Sequence, residues 1–200
     1  MEGCLAISEE GTSGGLALLW RERNKVTIQS YSKYHVDSLV NLEDGTDIRF
    51  TGFYGQAEPT LRNEAWDMLR RIKSNVRGGW IVGGEFNAIL NDAEKEGGRR
   101  KPRNSMNDFN KFLEELSLVD IKTRAGWFTW SNNRDGSGLV KERLDRFIVS
   151  EDVIEKMPFI DIKVIHQSKS DHDAIFMNTI GSKPRERCAD SKPWFRYDVW

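Results

Sequence analysis

The sequence has few cysteines, almost no excess of charge of either sign and no long hydrophobic run. Its two cysteines, Cys4 and Cys188, lie near opposite ends of the 200 residues without metal-ligand spacing, which excludes a structural zinc site. Two cysteines placed so far apart are more typical of a protein from a reducing intracellular compartment, nuclear or cytoplasmic, than of one held by a disulfide framework. No stretch approaches the roughly 18 apolar residues of a membrane helix, so we expect no membrane partner. Thirty Lys and Arg against 31 Asp and Glu give a net charge of -1, so contact with nucleic acid must depend on a local patch.

The chain nevertheless has enough apolar bulk to fold. Hydrophobic residues make up 38% of it, including 7 Trp and 10 Phe. Because a domain typically takes roughly 100–200 residues, the length predicts one domain. We place it at residues 1–181, as a monomer, and interpret the mixture of Lys, Arg, Pro and late aromatics at 182–200 as a tail or linker.

Apolar periodicity predicts an α/β (or α+β) fold. Short or alternating apolar stretches predict a β meander in the first quarter and strands at 80–82, 127–131, 143–149, 160–165 and 174–180. We expect 127–131 and 143–149 to pair as a hairpin. Two helical stripes lie between strands, the first with Thr60 as its N-cap. They consist of Leu61, Ala65, Met68, Leu69 and Ile72, and of Met106, Phe109, Phe112, Leu113 and Leu116.

A polar pair follows the predicted strand at 80–82. Glu85 and Asn87 flank Phe86, and alternation places both on one side. A carboxylate can orient water or bind a cation, and a carboxamide can donate to a phosphate oxygen. A solvated turn is the alternative interpretation.

Four further residues have side chains suited to catalysis or binding. Asp171 and His172 adjoin at the start of a strand, where the carboxylate can fix the imidazole tautomer. Asp145 shares a strand face with Phe147, and a charge there needs a partner, which could simply be a nearby arginine. Tyr54 ends a strand and either hydrogen-bonds a ligand or belongs to the core.

A basic run offers a local patch for nucleic acid. Arg99 and Arg100 belong to RRKPR at 99–103, which suits phosphate contacts if it is more than a solvated face. Trp127 and Trp130 either stack against a base or pack in the core.

Six motifs, taken together and in order, resemble the endonuclease/exonuclease/phosphatase superfamily, and within it the endonuclease domain of LINE-type, non-LTR retrotransposon proteins. They are GGLALLW at 14–20, GFYG at 52–55, GEFN at 84–87, FTWSN at 128–132, ERLDR at 142–146 and SDH at 170–172. The resemblance extends from about Cys4 to Ile180. PWFRY at 193–197 is similar to the segment that leads towards a reverse transcriptase in such proteins.

The resemblance implies a four-layer sandwich of two packed mixed β-sheets flanked by helices. It also implies a phosphodiesterase that cleaves DNA through its phosphate backbone with Mg²⁺ or Mn²⁺. Glu85 and Asp171 would hold the metal, Glu85 would orient the attacking water, and His172 paired with Asp145 would stabilise the charge of the transition state. The residues that it implies for substrate binding are Tyr54, Asn87, Thr129, Trp130, Arg99 and Arg100.

Two departures from the family pattern lead us to expect impaired activity and weak metal binding. The family motif has Asp at the position of Glu85, and a carboxylate displaced by roughly an ångström can cost on the order of 100-fold in rate. The first strand-helix-strand unit of the family, with its Asn and its principal metal-binding Glu, has no counterpart before Cys4. Two alternatives stay open: a non-catalytic remnant that binds nucleic acid, and a phosphatase of the same superfamily.

Overall fold

The computed structural model describes residues 1–8 and 15–181, so the expected tail at 182–200 lies outside the described residues. Three α-helices occur in the described ranges: α1 (Arg62–Lys73), α2 (Arg103–Leu116) and α3 (Glu151–Lys156). The strands there are β1 (Gly3–Ile7), β2 (Leu16–Trp20), β3 (Val26–Ser32), β4 (His35–Asn41), β5 (Asp47–Tyr54), β6 (Trp80–Glu85), β7 (Lys95–Glu96), β8 (Leu118–Asp120), β9 (Trp130–Ser131), β10 (Lys141–Glu142), β11 (Asp145–Ser150), β12 (Asp161–Ile165) and β13 (Ala174–Asn178).

A six-stranded mixed sheet forms the centre of the domain, in the order β3-β4-β5-β6-β11-β8. Strands β5 and β6 run parallel because α1 connects them, and the other neighbours in this sheet are antiparallel. Two smaller sheets pair β1 with β2 and β12 with β13, and in a third β10 lies between β7 and β9. The predicted meander is confirmed for β3, β4 and β5, which pair consecutively, whereas β1 and β2 form a sheet of their own.

Helices α1 and α2 cover one face of the central sheet. The rings of Trp66 and Phe112 stack with centroids 4.7 Å apart, and Phe109 packs beside them. The second predicted stripe is fully buried, and so is the first except for Leu61, which is 43% exposed. Leu61 ends a 3₁₀ turn that begins at Pro59, so Thr60 lies inside this turn and does not cap α1.

The opposite face packs against β13 and α3. Ile81 and Val149 of the central sheet meet Val153 of α3 and Met177 of β13 in a second apolar cluster. An apolar groove of about 310 Å³ runs along this face between β4 and β13. The predicted α/β class, with packed mixed sheets and flanking helices, is confirmed.

The predicted hairpin between 127–131 and 143–149 is wrong. Strand β9 pairs with β10, whereas β11 leaves this small sheet and inserts between β6 and β8. The reason is that Ile148 and Val149 are both fully buried, so both faces of β11 require apolar neighbours, which a hairpin edge does not supply. Among the described residues, no helix has the length and apolarity to cross a membrane.

Candidate active site

Three strand ends of the central sheet bring polar side chains into one row. The register places Tyr54 of β5 beside Glu85 of β6, and Glu85 beside Asp145 of β11. Neighbouring strands lie about 4.8 Å apart, so these three side chains can act on one ligand. The row stands at the rim of the sheet, where the chain leaves the core.

The turn after β6 presents Glu85 and Asn87 together. Gly84 has a φ of 143°, and a Cβ there would lie 2.0 Å from the carbonyl oxygen of Phe53, so only glycine fits. Asn87 adopts a φ of 51°, a left-handed conformation that asparagine tolerates. Its Nδ2 donates to the carbonyl oxygen of Gly55 at 2.8 Å. The side chain of Phe86, between Glu85 and Asn87 in the sequence, is fully buried. The turn is therefore fixed by packing and is not a loose solvated loop.

His172 completes the row from a separate part of the chain. Its Nδ1 lies 3.1 Å from Oδ2 of Asp145, and its Nε2 lies 3.8 Å from Oε1 of Glu85. A bridge between Trp130 and His172 ties this segment to β9. Asp145 thus pairs with a histidine, and the arginine partner considered from the sequence is not the one that the structure shows.

The electrostatics of the row reflect an excess of negative charge. Burial raises the pKa of Glu85 to about 6. The like charges of Asp145 and Asp171 act in the same direction, and the positive charge of His172 opposes them. The hydrogen bond to Asp145 raises the pKa of His172, and Glu85 and Asp171 act in the same direction. A protonated imidazole is therefore favoured between the carboxylates.

Replacing Glu85 by Gln is expected to stabilise the folded chain at neutral pH by up to about 2 kcal/mol. The pKa of Glu85 is above its usual value of 4.5, so the wild-type chain loses stability as pH rises from about 4.5 through about 6. Glutamine does not titrate, and the advantage of the variant should grow over that window and then level off. Urea unfolding at pH 4 and pH 7.5 measures this, and an equal difference at both pH values would contradict it.

The donor set fits a divalent cation. Glu85, Asp145 and His172 each offer one ligand atom, and these atoms lie within 4.8 Å of one another. Carboxylate oxygens suit Mg²⁺, and a cation would favour the ionised form of Glu85, whose pKa is raised mainly by burial. Asp171, the other metal ligand expected from the sequence, is not in this group of three, and its role in metal binding stays a prediction.

Asp171 instead contacts the aromatic strand beside the row. Its Oδ2 accepts a hydrogen bond from Nε1 of Trp130 at 3.1 Å, and its carbonyl oxygen accepts one from the backbone of Ser131. These residues, with Trp127 and Lys141, line a cavity of about 400 Å³ next to the site. Trp130 thus lines a cavity, and its role as a substrate contact stays a prediction, whereas Nε1 of Trp127 donates to the carbonyl oxygen of Ala93.

Thr129 has a different place from the one expected. It is completely buried, and its Oγ1 accepts hydrogen bonds from the backbone nitrogens of Leu144 at 3.0 Å and Asp145 at 2.9 Å. Its carbonyl oxygen accepts one from Asp173. Burial prevents Thr129 from touching a substrate. It holds the start of β11 and the 171–173 segment in place, and the expected substrate contact is corrected accordingly.

Arg99 and Arg100 lie apart from the row. Both are exposed on the loop between β7 and α2, and Arg100 lines a cavity of about 230 Å³ with Lys95 and Asp92. Lys101 of the same basic run pairs with Glu142 at 2.9 Å. The loop follows β7, which lies in the same small sheet as the strand of Trp130, and the role of Arg99 and Arg100 in substrate binding stays a prediction.

Sequence reasoning missed a buried cluster of charges below the site. Oε1 of Glu94 lies 2.8 Å from Nη1 of Arg143, and Oε2 lies 3.0 Å from Nη2 of Arg146. Asp120 also binds Arg143, at 2.7 Å. The signal available was the flanking of Asp145 by two arginines, because buried charges require partners.

Comparison with known proteins assigns the chain to a family. The family model described as the endonuclease/exonuclease/phosphatase family matches residues 5–172. No curated protein matches the chain. A similar solved structure is the endonuclease domain of TRAS1, a telomere-specific non-LTR retrotransposon, with a TM-score of 0.66 and 17% identity over 88% of this chain and 78% of that one.

A second similar structure is the 3′ phosphatase NExo from Neisseria, bound to a product DNA hairpin, with a TM-score of 0.63 and 17% identity over 88% of this chain and 78% of that one. These likenesses show the fold that α1, α2 and the packed sheets build. The family match covers most of the chain, including the turn at Glu85 and the strand of Asp145. The chain therefore belongs to the endonuclease/exonuclease/phosphatase family.

Proposed function

We propose that the protein is a divalent-metal-dependent phosphodiesterase that cleaves DNA. The convergence of Glu85, Asp145 and His172 at one rim of the sheet carries this proposal. Hydrolysis of a phosphodiester requires a positioned water and neutralisation of developing charge more than covalent chemistry. A partly buried carboxylate, an Asp-oriented imidazole and an adjacent amide supply these requirements.

Each residue has a role that follows from its contacts. Glu85 would hold the cation and orient the attacking water, and the cation would polarise the phosphate. His172, oriented by Asp145, would place a positive N–H against the charge that develops on the phosphate oxygens. Asn87, fixed by its bond to Gly55, would donate its other N–H to a nonbridging oxygen. Tyr54 stands beside Glu85 in register and would contact the same phosphate.

Slow nicking of supercoiled plasmid in Mg²⁺ is the expected result for the full chain. Nicking should stop in EDTA and in His172→Ala. Glu85→Asp should raise the rate by up to about 100-fold, because it restores the carboxylate length found in the family motif. If His172→Ala nicks as fast as the wild-type chain, the proposed site is wrong.

A binding role without cleavage is the second candidate, favoured by the exposed Arg99 and Arg100 on the loop that follows β7. Salt-dependent binding of DNA with no nicking would support it, because phosphate contacts release counterions. Release of phosphate from a 3′-phosphorylated DNA, with the diester left intact, would support the phosphatase alternative.

A further inference from the structure

A polar cavity of about 870 Å³ lies under the edge of the central sheet, outside the candidate active site. Strands β3, β4 and β5 line one wall, and α1 lines the other. Its volume is within the roughly 300–1,000 Å³ range of small-molecule sites. A helix packed on a sheet normally encloses apolar side chains, so polar groups in this wall need an explanation.

The wall contains a histidine held between two serines. Ser32 lies directly opposite His35 in the pairing of β3 with β4, and Ser30 lies on the same face two residues away. Oγ of Ser30 is 3.0 Å from Nε2 of His35, and Oγ of Ser32 is 2.8 Å from Nδ1. His35 is only 5% exposed, whereas Ser30 is exposed at the cavity.

This arrangement matches an activated nucleophile. Ser32 also accepts a hydrogen bond from the backbone of Tyr34 at 3.1 Å, which fixes its hydroxyl beside the ring. When Nδ1 carries the proton and donates to Ser32, Nε2 is left to accept the proton of Ser30. Burial lowers the pKa of His35, which favours the neutral ring that a general base requires.

The cavity also offers a positive charge to a ligand. Arg49 is bound by Asp37, and two carboxylates also line the cavity. Asp67 is bound by Arg70 at 2.8 Å and Glu64 accepts a hydrogen bond from the hydroxyl of Tyr34 at 3.0 Å, whereas Arg71 has no ion pair to any described carboxylate. We propose that Ser30 attacks small carboxylic esters that carry a negative charge, with His35 as the base and Arg71 as the anion contact.

The reaction proceeds by acyl transfer. Oγ of Ser30 bonds to the carbonyl carbon as its proton passes to Nε2 of His35. The carbon–oxygen bond to the leaving alcohol then breaks, and the alcohol takes that proton. Water then bonds to the acyl carbon as its proton passes to Nε2 of His35, the bond between that carbon and Oγ of Ser30 breaks, and Oγ takes the proton from the ring as the acid leaves.

Labelling with a fluorophosphonate probe and mass spectrometry tests the nucleophile. The wild-type chain should gain one adduct, on Ser30, and Ser30→Ala should gain none. His35→Gln, shown by circular dichroism to be folded, should label about 100-fold more slowly. Ser74→Ala, an exposed serine beyond the end of α1, should label like the wild-type chain. No adduct, an adduct elsewhere or equal labelling of His35→Gln would overturn the proposal.

Ester hydrolysis tests the ligand class. The chain should hydrolyse mono-4-nitrophenyl succinate faster than 4-nitrophenyl acetate, and Arg71→Gln should slow only the charged ester. Failure to hydrolyse either ester, or equal slowing of both, would overturn the proposed class. Ser30→Ala should leave plasmid nicking unchanged, so this test is independent of the phosphodiesterase proposal.

Discussion

Asp145→Asn is expected to slow the proposed DNA cleavage by about 100- to 10,000-fold while leaving the fold intact. The Asp145 carboxylate accepts the Nδ1 proton of His172 at 3.1 Å and raises the pKa of that histidine. Asparagine has the same shape without the charge, so the imidazole loses both its orientation and its preference for the protonated form. Plasmid nicking measures the rate, and NMR titration of His172 should show a lower pKa in the variant.

Asp173→Asn is the matched control for this prediction. Asp173 pairs with His166 at 2.8 Å in the same segment, but His166 is largely exposed and does not belong to the group formed by Glu85, Asp145 and His172. The plasmid-nicking rate of Asp173→Asn should stay close to that of the wild-type chain. Equal losses in the two variants, or an unchanged pKa of His172 in Asp145→Asn, would show that Asp145 acts only through general stability.

Glu94→Gln is expected to lower the free energy of unfolding by about 3–5 kcal/mol. Glu94, Arg143 and Arg146 are completely buried, and the carboxylate binds both guanidinium groups and the backbone nitrogen of Leu90. Glutamine carries no negative charge, so in the variant the carboxylate of Asp120 must balance the charges of both Arg143 and Arg146. Urea denaturation of both proteins gives the difference directly.

The same cluster predicts acid sensitivity. Burial alone would raise the pKa of Glu94, but Arg146 and Arg143 outweigh it and hold that pKa below its usual value. A carboxyl with a lowered pKa in the folded state contributes stability above its usual pKa and loses it as pH falls through the folded value. The difference between wild type and Glu94→Gln should therefore shrink in strong acid.

Glu115→Gln is the control for Glu94→Gln. Glu115 also binds an arginine, Arg70, at 2.8 Å, but this pair is on the surface, where water and salt screen it. Its replacement should change the unfolding midpoint very little. A similarly small effect for Glu94→Gln would mean that the buried cluster is not required for stability.

Periodicity was reliable wherever a segment buries one side of a regular element. The stripe from Met106 to Leu116 requires only helical spacing, and the structure buries all of it. It failed at Leu61 and at the 143–149 segment, because a local pattern does not reveal which neighbours cover a residue. Thr129 shows the same limit: its residue type suits a ligand contact, but its burial gives it a structural role.

The sequence by itself determined the elements of this protein, the glycine turn that presents Glu85 and Asn87, and the residue types from which the family and a phosphate chemistry follow. Only the tertiary structure decided which of these residues act together. The register of β5, β6 and β11 brings Tyr54, Glu85 and Asp145 side by side, and the segment after β12 adds His172. Contacts between distant segments depend on strand order and burial, which no local spacing encodes. The raised pKa of Glu85, caused mainly by its burial, and the partner of Asp145 both follow from this tertiary arrangement.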